Sequence, residues 1–274
     1  MKRVTLPNGD IISCLDKLTA LDIYDEIYIE NDYLRYGIQV ADNDVVFDIG
    51  ANIGLFSRYM TTQAENLRIF TFEPVPIIFD VLEKNLRNLP AEIKNYNVGL
   101  AEKEDITKIH YYPKVSADSA IVEFDWDLKV NQFLRNYEEM VVGFIPGAKY
   151  IPKFMRKSFI KMGLKRMYKS KLLPCKLRAV SDIIQENNLN TINLMKIDAE
   201  NYEFQVLSGI NESDWDKIQQ ISMEVHEHVE GGENLLNKLG EMLEYKGFNV
   251  KKERDSRFGS MGVFMLYAKR SKFN

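Results

Sequence analysis

With 274 residues, of which 45% are hydrophobic, 28% charged and 11% aromatic, the chain can bury one sizeable core and reads as one domain with additions. No apolar run approaches the roughly 20 residues that span a bilayer, and the start, Met1-Lys2-Arg3 before Val4-Thr5-Leu6, lacks the apolar core of a signal peptide. The two cysteines, Cys14 and Cys175, have no metal-ligand spacing and fit a reduced compartment, so a cytoplasmic location is the expectation.

Residues 4 to 14 read as a hairpin around Pro7-Asn8-Gly9-Asp10. Residues 16 to 37 have a helical pattern, with Leu21, Tyr24, Ile27 and Tyr28 three or four apart. Tyr24, Tyr28, Tyr33 and Tyr36 form an aromatic stripe that suits core packing better than a ligand cover. Residues 1–44 are therefore expected to pack as a hairpin and helix on a main domain of residues 45–274.

The main domain opens on Val45-Val46-Phe47-Asp48-Ile49-Gly50-Ala51-Asn52-Ile53-Gly54-Leu55-Phe56, a strand turning tightly into a helix. Dinucleotide sites share this outline, but Asn52 stands where the middle of three glycines falls. Asp48 would repel a pyrophosphate and suits a ligand carrying ammonium and sulfonium charge, which points to S-adenosylmethionine (SAM). A second strand, Arg68 to Phe72, ends in Glu73-Pro74, where an acid can accept both ribose hydroxyls. A helix from Pro76 to Leu89 and a third strand from Ile93 to Val98 follow. Ile106 to Tyr112 and Ser119 to Phe124 then read as a hairpin.

Residues 125–174 read as an insertion, a lid or a binding segment. The net charge of −4 is unevenly spread here, because Met140 to Ser181 holds no acid while Lys149 to Arg178 carries eleven lysines and arginines. Everything else therefore nets about −15, and an anionic partner is expected for the basic segment: an acidic carrier protein, a phosphate-bearing substrate or anionic lipid. No nucleic-acid recognition motif accompanies the charge. On a helical wheel its lysines lie among Phe154, Met155, Phe159, Ile160, Met162, Leu164 and Met167 rather than opposite them.

Beyond the insertion, a helix N-capped at Ser181-Asp182 leads to a strand, Ile192 to Ile197, that ends in Asp198-Ala199-Glu200-Asn201-Tyr202-Glu203. A helix then reaches Gly209, and a strand from Ile218 to Val225 ends in Glu224-Val225-His226-Glu227-His228. A helix, Leu235 to Tyr245, and two strands, Phe248 to Glu253 and Gly262 to Lys269, close the chain. Alternating strands and helices predict a doubly wound α/β sheet with ligands at the carboxyl ends of the strands. Asp48, Glu73, Asp198, Glu224 and His226 all fall at such ends, so one rim should gather them.

Taken together, Phe47-Asp48-Ile49-Gly50-Ala51-Asn52-Ile53-Gly54, Phe72-Glu73-Pro74, Asn97-Val98-Gly99-Leu100, Met195-Lys196-Ile197-Asp198-Ala199-Glu200 and Met223-Glu224-Val225-His226 resemble the FkbM-type family of SAM-dependent methyltransferases. Leu6-Pro7-Asn8-Gly9 and Asp214-Trp215 resemble its natural-product subgroup. The resemblance implies a Rossmann-like, seven-stranded sheet and methylation mostly of hydroxyl groups, on a polyketide, peptide or glycan acceptor. It also implies that the loop carrying Asp48, Gly50, Ala51, Asn52 and Gly54 holds the methionine part of SAM. Glu73 and Pro74 would then hold the ribose, and Asn97, Val98 and Gly99 the adenine edge. The family often reads Asp-Val-Glu-Gly where this chain has Asp198-Ala199-Glu200-Asn201, and the basic segment has no clear counterpart in it.

Methyl transfer is an in-line displacement, and an alcohol must lose its proton as it attacks. His226 is the candidate base, oriented by Glu224, Asp198 or Glu200. His110 and His228 read as surface or loop residues. Asp198, Glu200, Glu224 and His226 offer metal-type ligands, but acids beside a cationic cofactor need no metal, and none is assigned. Methylation of an amide nitrogen is the runner-up, and a dinucleotide-dependent oxidoreductase is the alternative from another class.

Overall fold

The computed structural model describes residues 1–123, 125–227, 234–255 and 262–271. Strands β1 (Lys2–Thr5) and β2 (Ile11–Cys14) pair antiparallel with Val4 opposite Ile12. Gly9 takes φ +92° in the turn between them. Helix α1 (Lys17–Tyr24) is capped by Asp16, whose carboxylate accepts the Leu18 and Thr19 N–H groups. The helical run expected to reach residue 37 stops earlier, in a π-helical turn over Asp25–Ile29. Asn31, Tyr36 and Gly37 have φ of +52°, +53° and +80°, a left-handed backbone that no α-helix continues.

The main sheet is built from β3 (Val45–Ile49), β4 (Arg68–Phe72), β5 (Glu92–Tyr96), β9 (Leu194–Ile197), β10 (Gln220–His226), β11 (Phe248–Arg254) and β12 (Val263–Arg270). Its order is β11-β12-β10-β9-β3-β4-β5, with β12 antiparallel to both neighbours. Helices α2 (Leu55–Gln63), α3 (Pro76–Leu86), α6 (Val180–Glu186), α7 (Glu203–Ser208) and α8 (Leu235–Tyr245) supply the crossovers and the two covering layers. The expected cap of α6 moves back by two residues. Ala179 is the N-cap and Asp182 accepts its N–H, while the Ser181 hydroxyl accepts from Asn211.

The pleat of this sheet determines where the polar groups go. Phe47, Ile49, Met195, Ile197, Met223 and Val225 enter the core on one face. Val46, Leu194, Met265 and Tyr267 enter the core on the other, under α2 and the N-terminal unit. Since alternate residues share a face, Asp48, Lys196, Ser222, Glu224 and His226 all follow this second set. Register aligns them further, with Asp48 opposite Lys196 and Ser222 opposite Lys196 on its other side.

The hairpin expected around residues 113–118 does not form, and Phe124 lies outside the described residues. Strand β7 (Asp105–Tyr111) instead pairs antiparallel with β8 (Lys171–Arg178), and β8 pairs parallel with β6 (Gly99–Leu100). Only a single bridge, His110 to Ala120, joins β7 to its expected partner. The basic segment is thus part helix and part strand. Helices α4 (Trp126–Arg135) and α5 (Lys153–Met167) pack around Tyr112, Val130, Tyr137, Val141, Ile160 and Leu164 in a small core of their own. Among the described residues no helix is long and apolar enough to cross a membrane.

Candidate active site

The loop after β3 is shaped by close backbone approach. Gly50 has φ +71°, and a Cβ there would lie 1.7 Å from the Asp198 carbonyl oxygen, so β3 and β9 can end side by side only with glycine at this position. The N–H groups of Gly50 and Ala51 both donate to the Phe72 carbonyl at 3.0 Å. Asn52 takes φ +47°, a conformation that asparagine tolerates, and donates its N–H to Glu73 Oε2 at 3.1 Å. Asn201, where the family favours glycine, likewise has φ +72°.

Beneath the loop, Asp48 is fully buried and does not line the cleft. The pleat turns its carboxylate toward α2, where it accepts the Ser57 hydroxyl at 2.6 Å and lies 3.6 Å from Lys196 Nζ. The carboxylate expected to meet a cationic ligand is thus turned toward Ser57 and Lys196. Lys196 Nζ also donates to the Gly50 carbonyl at 2.8 Å and the Ile49 carbonyl at 3.3 Å, and approaches Asp198 Oδ2 at 3.4 Å. Burial works against the ammonium, but Asp198, Asp48, Glu26 and Glu224 outweigh it and hold Lys196 charged.

Above the loop lies a cleft lined by Gly50, Asn52, Glu73, Pro74, Gly99, Leu100, Asp198 and Glu200, with residues 116–121 forming its far wall. Of the residues expected to hold a cofactor, Gly50, Asn52, Glu73, Pro74 and Gly99 line this cleft. Ala51, Gly54, Asn97 and Val98 shape its frame. Ala51 packs against Leu82 and Leu86, and Gly54 starts α2 with φ +87°. Asn97 donates to the Glu73 carbonyl at 2.8 Å, while Val98 belongs to the core. Glu73 is buried, which pushes its carboxyl up to about 7 even though Val75 and Asn52 donate N–H groups to it.

Behind Asp198 and Glu200 the rim acids meet the histidine. Nδ1 of His226 lies 2.7 Å from Glu203 Oε1, while Nε2 faces Glu200 Oε2 at 3.7 Å and Glu224 Oε1 at 3.6 Å. Burial disfavours a charged imidazole here, but Glu200, Glu203 and Glu224 override it and raise the His226 pKa well above its ordinary value. Burial lifts the Glu200 carboxyl to about 8 and raises that of Glu224 as well, with His226 pulling against both shifts. The imidazole at rest is therefore a cation within a carboxylate cluster, not a free neutral base. Asp198, Glu224 and His226 also present donor atoms within 4.8 Å of one another, a spacing a metal ion would accept. His110 lies near Ser170, and His228 is outside the described residues.

Several residues at the site were not singled out from sequence. Glu203, rather than Glu224, holds Nδ1; its place five residues past Asp198, at the start of α7, was the available signal. Lys196 was legible only through register. Tyr33, read as core, donates to Glu224 at 3.2 Å and reaches Asp198 at 3.5 Å. Tyr24 and Tyr28 pack among other rings, as expected, whereas Tyr36 meets the Tyr267 ring but is 56% exposed and does not belong to the core. From the insertion, Lys129 is buried with its ammonium 3.5 Å from Asp118 and 3.9 Å above the Tyr168 ring, and the Tyr168 hydroxyl donates to Asp118.

Among solved structures, a precorrin-6y C5,15-methyltransferase from Geobacter metallireducens is 13% identical, with 85% of this chain and 83% of that one covered and a TM-score of 0.40. The 31-O-demethyl-FK506 methyltransferase FkbM of Streptomyces tacrolimicus is 26% identical, over 99% of this chain and 98% of its own. The AMB antimetabolite synthetase AmbE of Pseudomonas aeruginosa is 31% identical over 97% of this chain, which spans only 12% of that much longer protein. The methyltransferase FkbM domain matches residues 48–250. The chain belongs to the FkbM family of methyltransferases.

Proposed function

We propose that the chain moves the methyl group of SAM to a hydroxyl oxygen of a natural-product acceptor, polyketide or peptide, or of a glycan. The observation that carries this reading is the convergence of Glu73, Asp198 and Glu200 on one rim of a cleft whose floor is the Gly50 loop. Such a rim favours a cation and disfavours a phosphate. SAM supplies an electrophilic methyl group. The chain's own residues align the acceptor and receive its proton. Oxygen is favoured over nitrogen because the FkbM relative is named for methylating an oxygen position. Methylation of an amide nitrogen is the second reading.

The acceptor's proton goes to the cluster of Glu200, Glu224 and His226, whose groups face one another at 3.6 and 3.7 Å. Ionised Glu200 receives it, with His226, expected from sequence as the base, acting instead as the cationic partner that stabilises the ionised carboxylate. A base must be proton-free, and the Glu200 carboxyl is held up at about 8, so turnover rises with pH toward that value. His226→Ala and Glu200→Gln are each expected to lower kcat by about 10²–10⁴, with SAM affinity by calorimetry within a few-fold in His226→Ala and weaker in Glu200→Gln, whose side chain lines the cleft. Unchanged turnover in both variants would remove the cluster as base, and an absence of SAM binding by the unaltered protein would sink the whole reading. With carbon-13-labelled SAM and a panel of hydroxylated acceptors, oxygen-bound and nitrogen-bound methyl carbons resonate apart and separate the two readings.

A further inference from the structure

The basic segment exposes apolar surface as well as charge. Among the described residues, seven of the seventeen large apolar side chains left exposed fall between Phe144 and Met167, including both exposed phenylalanines. Helix α5 is anchored by Ile160 and Leu164, which are buried. Helical spacing puts Phe154, Ser158 and Met162 in a ridge on the opposite side, where Phe154 is 84% and Met162 67% exposed. Lys161, Lys165 and Arg166 flank that ridge, and Lys161 makes a surface pair with Asp127 at 3.9 Å. Such clustering of exposed apolar side chains within one stretch is denser than singly scattered surface hydrophobicity.

We propose that this outer face of α5 docks on an anionic membrane surface, with the apolar ridge entering the headgroup layer and the flanking cations meeting lipid phosphates and carboxylates. The kind of cation favours lipid over a protein partner. Eight of the eleven basic residues from Lys149 to Arg178 are lysines. Two of the three arginines are already engaged within the chain: Arg178 by Glu186 at 2.6 Å, and Arg156 on the Tyr137 ring at 3.9 Å. Protein interfaces favour arginine and deplete lysine, whereas a charged lipid surface attracts any cation. The charge imbalance also orients the molecule, because the remainder of the chain, at about −15, is repelled by the surface that attracts α5.

The test sediments the full chain with vesicles of phosphatidylcholine alone, and with vesicles containing about one-third phosphatidylserine. The expected result is at least about tenfold more binding to the anionic vesicles, weakened by salt. Phe154→Ser with Met162→Ser, and separately Lys161→Gln with Lys165→Gln and Arg166→Gln, should each cut that binding about tenfold or more. These positions are exposed, so the unfolding transition and SAM affinity should not change. Equal binding to both vesicle types at low salt overturns the proposal, as does binding that either variant leaves intact. Self-association that both variants abolish would make a second copy the occupant. Binding to polyglutamate without binding to vesicles would make it an acidic protein. Either result overturns the proposal.

Discussion

At the scale of single residues, Gly50 has the least latitude. Its left-handed backbone alone would cost another residue about 1–3 kcal/mol, and the Asp198 carbonyl leaves no room for a Cβ. Gly50→Ala is therefore expected to lower the urea midpoint clearly and to weaken SAM binding at least about tenfold, since the shift needed displaces Asp198 at the end of β9. A variant of wild-type stability would show that the loop has a second conformation. Asp48 shows how far the pleat decides what a strand-end acid meets. Its position after an apolar strand was legible, but which face it enters is a matter of pleat: Asp48 shares Val46's face, so it lies under α2. Glu203 escaped notice because its contact with His226 joins residues 23 positions apart, on a helix and a strand.

At the scale of elements, the central strands and the crossover helices were legible to within three residues at their ends, because apolar runs and polar turns alternate cleanly there. The failures fall where pairing is long-range. The partner of β7 lies beyond two helices, and no local pattern distinguishes β8 from the rest of a lysine-rich stretch. The wall at residues 116–121 was likewise invisible as a wall, since its position depends on that pairing. It is pinned from behind by Asp118, Lys129 and Tyr168. Lys129→Met removes a buried charge from that strut and leaves Asp118 facing Tyr168 alone. Asp118 is itself 33% exposed, so the cost falls below the roughly 3–5 kcal/mol of breaking a fully buried pair, and the helical unit should register it as faster amide exchange over α4 and α5. If the strut positions the wall, KM for the acceptor should rise while SAM affinity holds. Equal weakening of both would mean that the strut supports only the general fold.

At the scale of the whole molecule, buried acids make stability depend on pH. Burial raises Glu73 to about 7 and Glu200 to about 8, both above their ordinary 4.5. A raised pKa means that the folded state holds its protons more tightly, so the stability from these groups is complete below about pH 4.5 and is lost as pH rises through the two folded values. His226, raised above its ordinary 6.5, adds loss of the same sign at higher pH. Urea denaturation of the ligand-free protein should show stability falling from about pH 5 to pH 8, with a smaller fall in Glu200→Gln. A cationic ligand stabilises ionised acids, so SAM should raise the melting temperature more at pH 8 than at pH 6. A flat profile with a flat ligand effect would mean that the acids stay ionised without help. The clamp beneath the loop bears on the timing of ligand capture. Lys196 fastens the Ile49 and Gly50 carbonyls from below, so little of the floor is left to arrange after an encounter. The wall at residues 116–121 rests on other partners, Lys129 and Tyr168 meeting Asp118, so floor and wall of the cleft are held by separate sets of contacts and a change in one need not disturb the other.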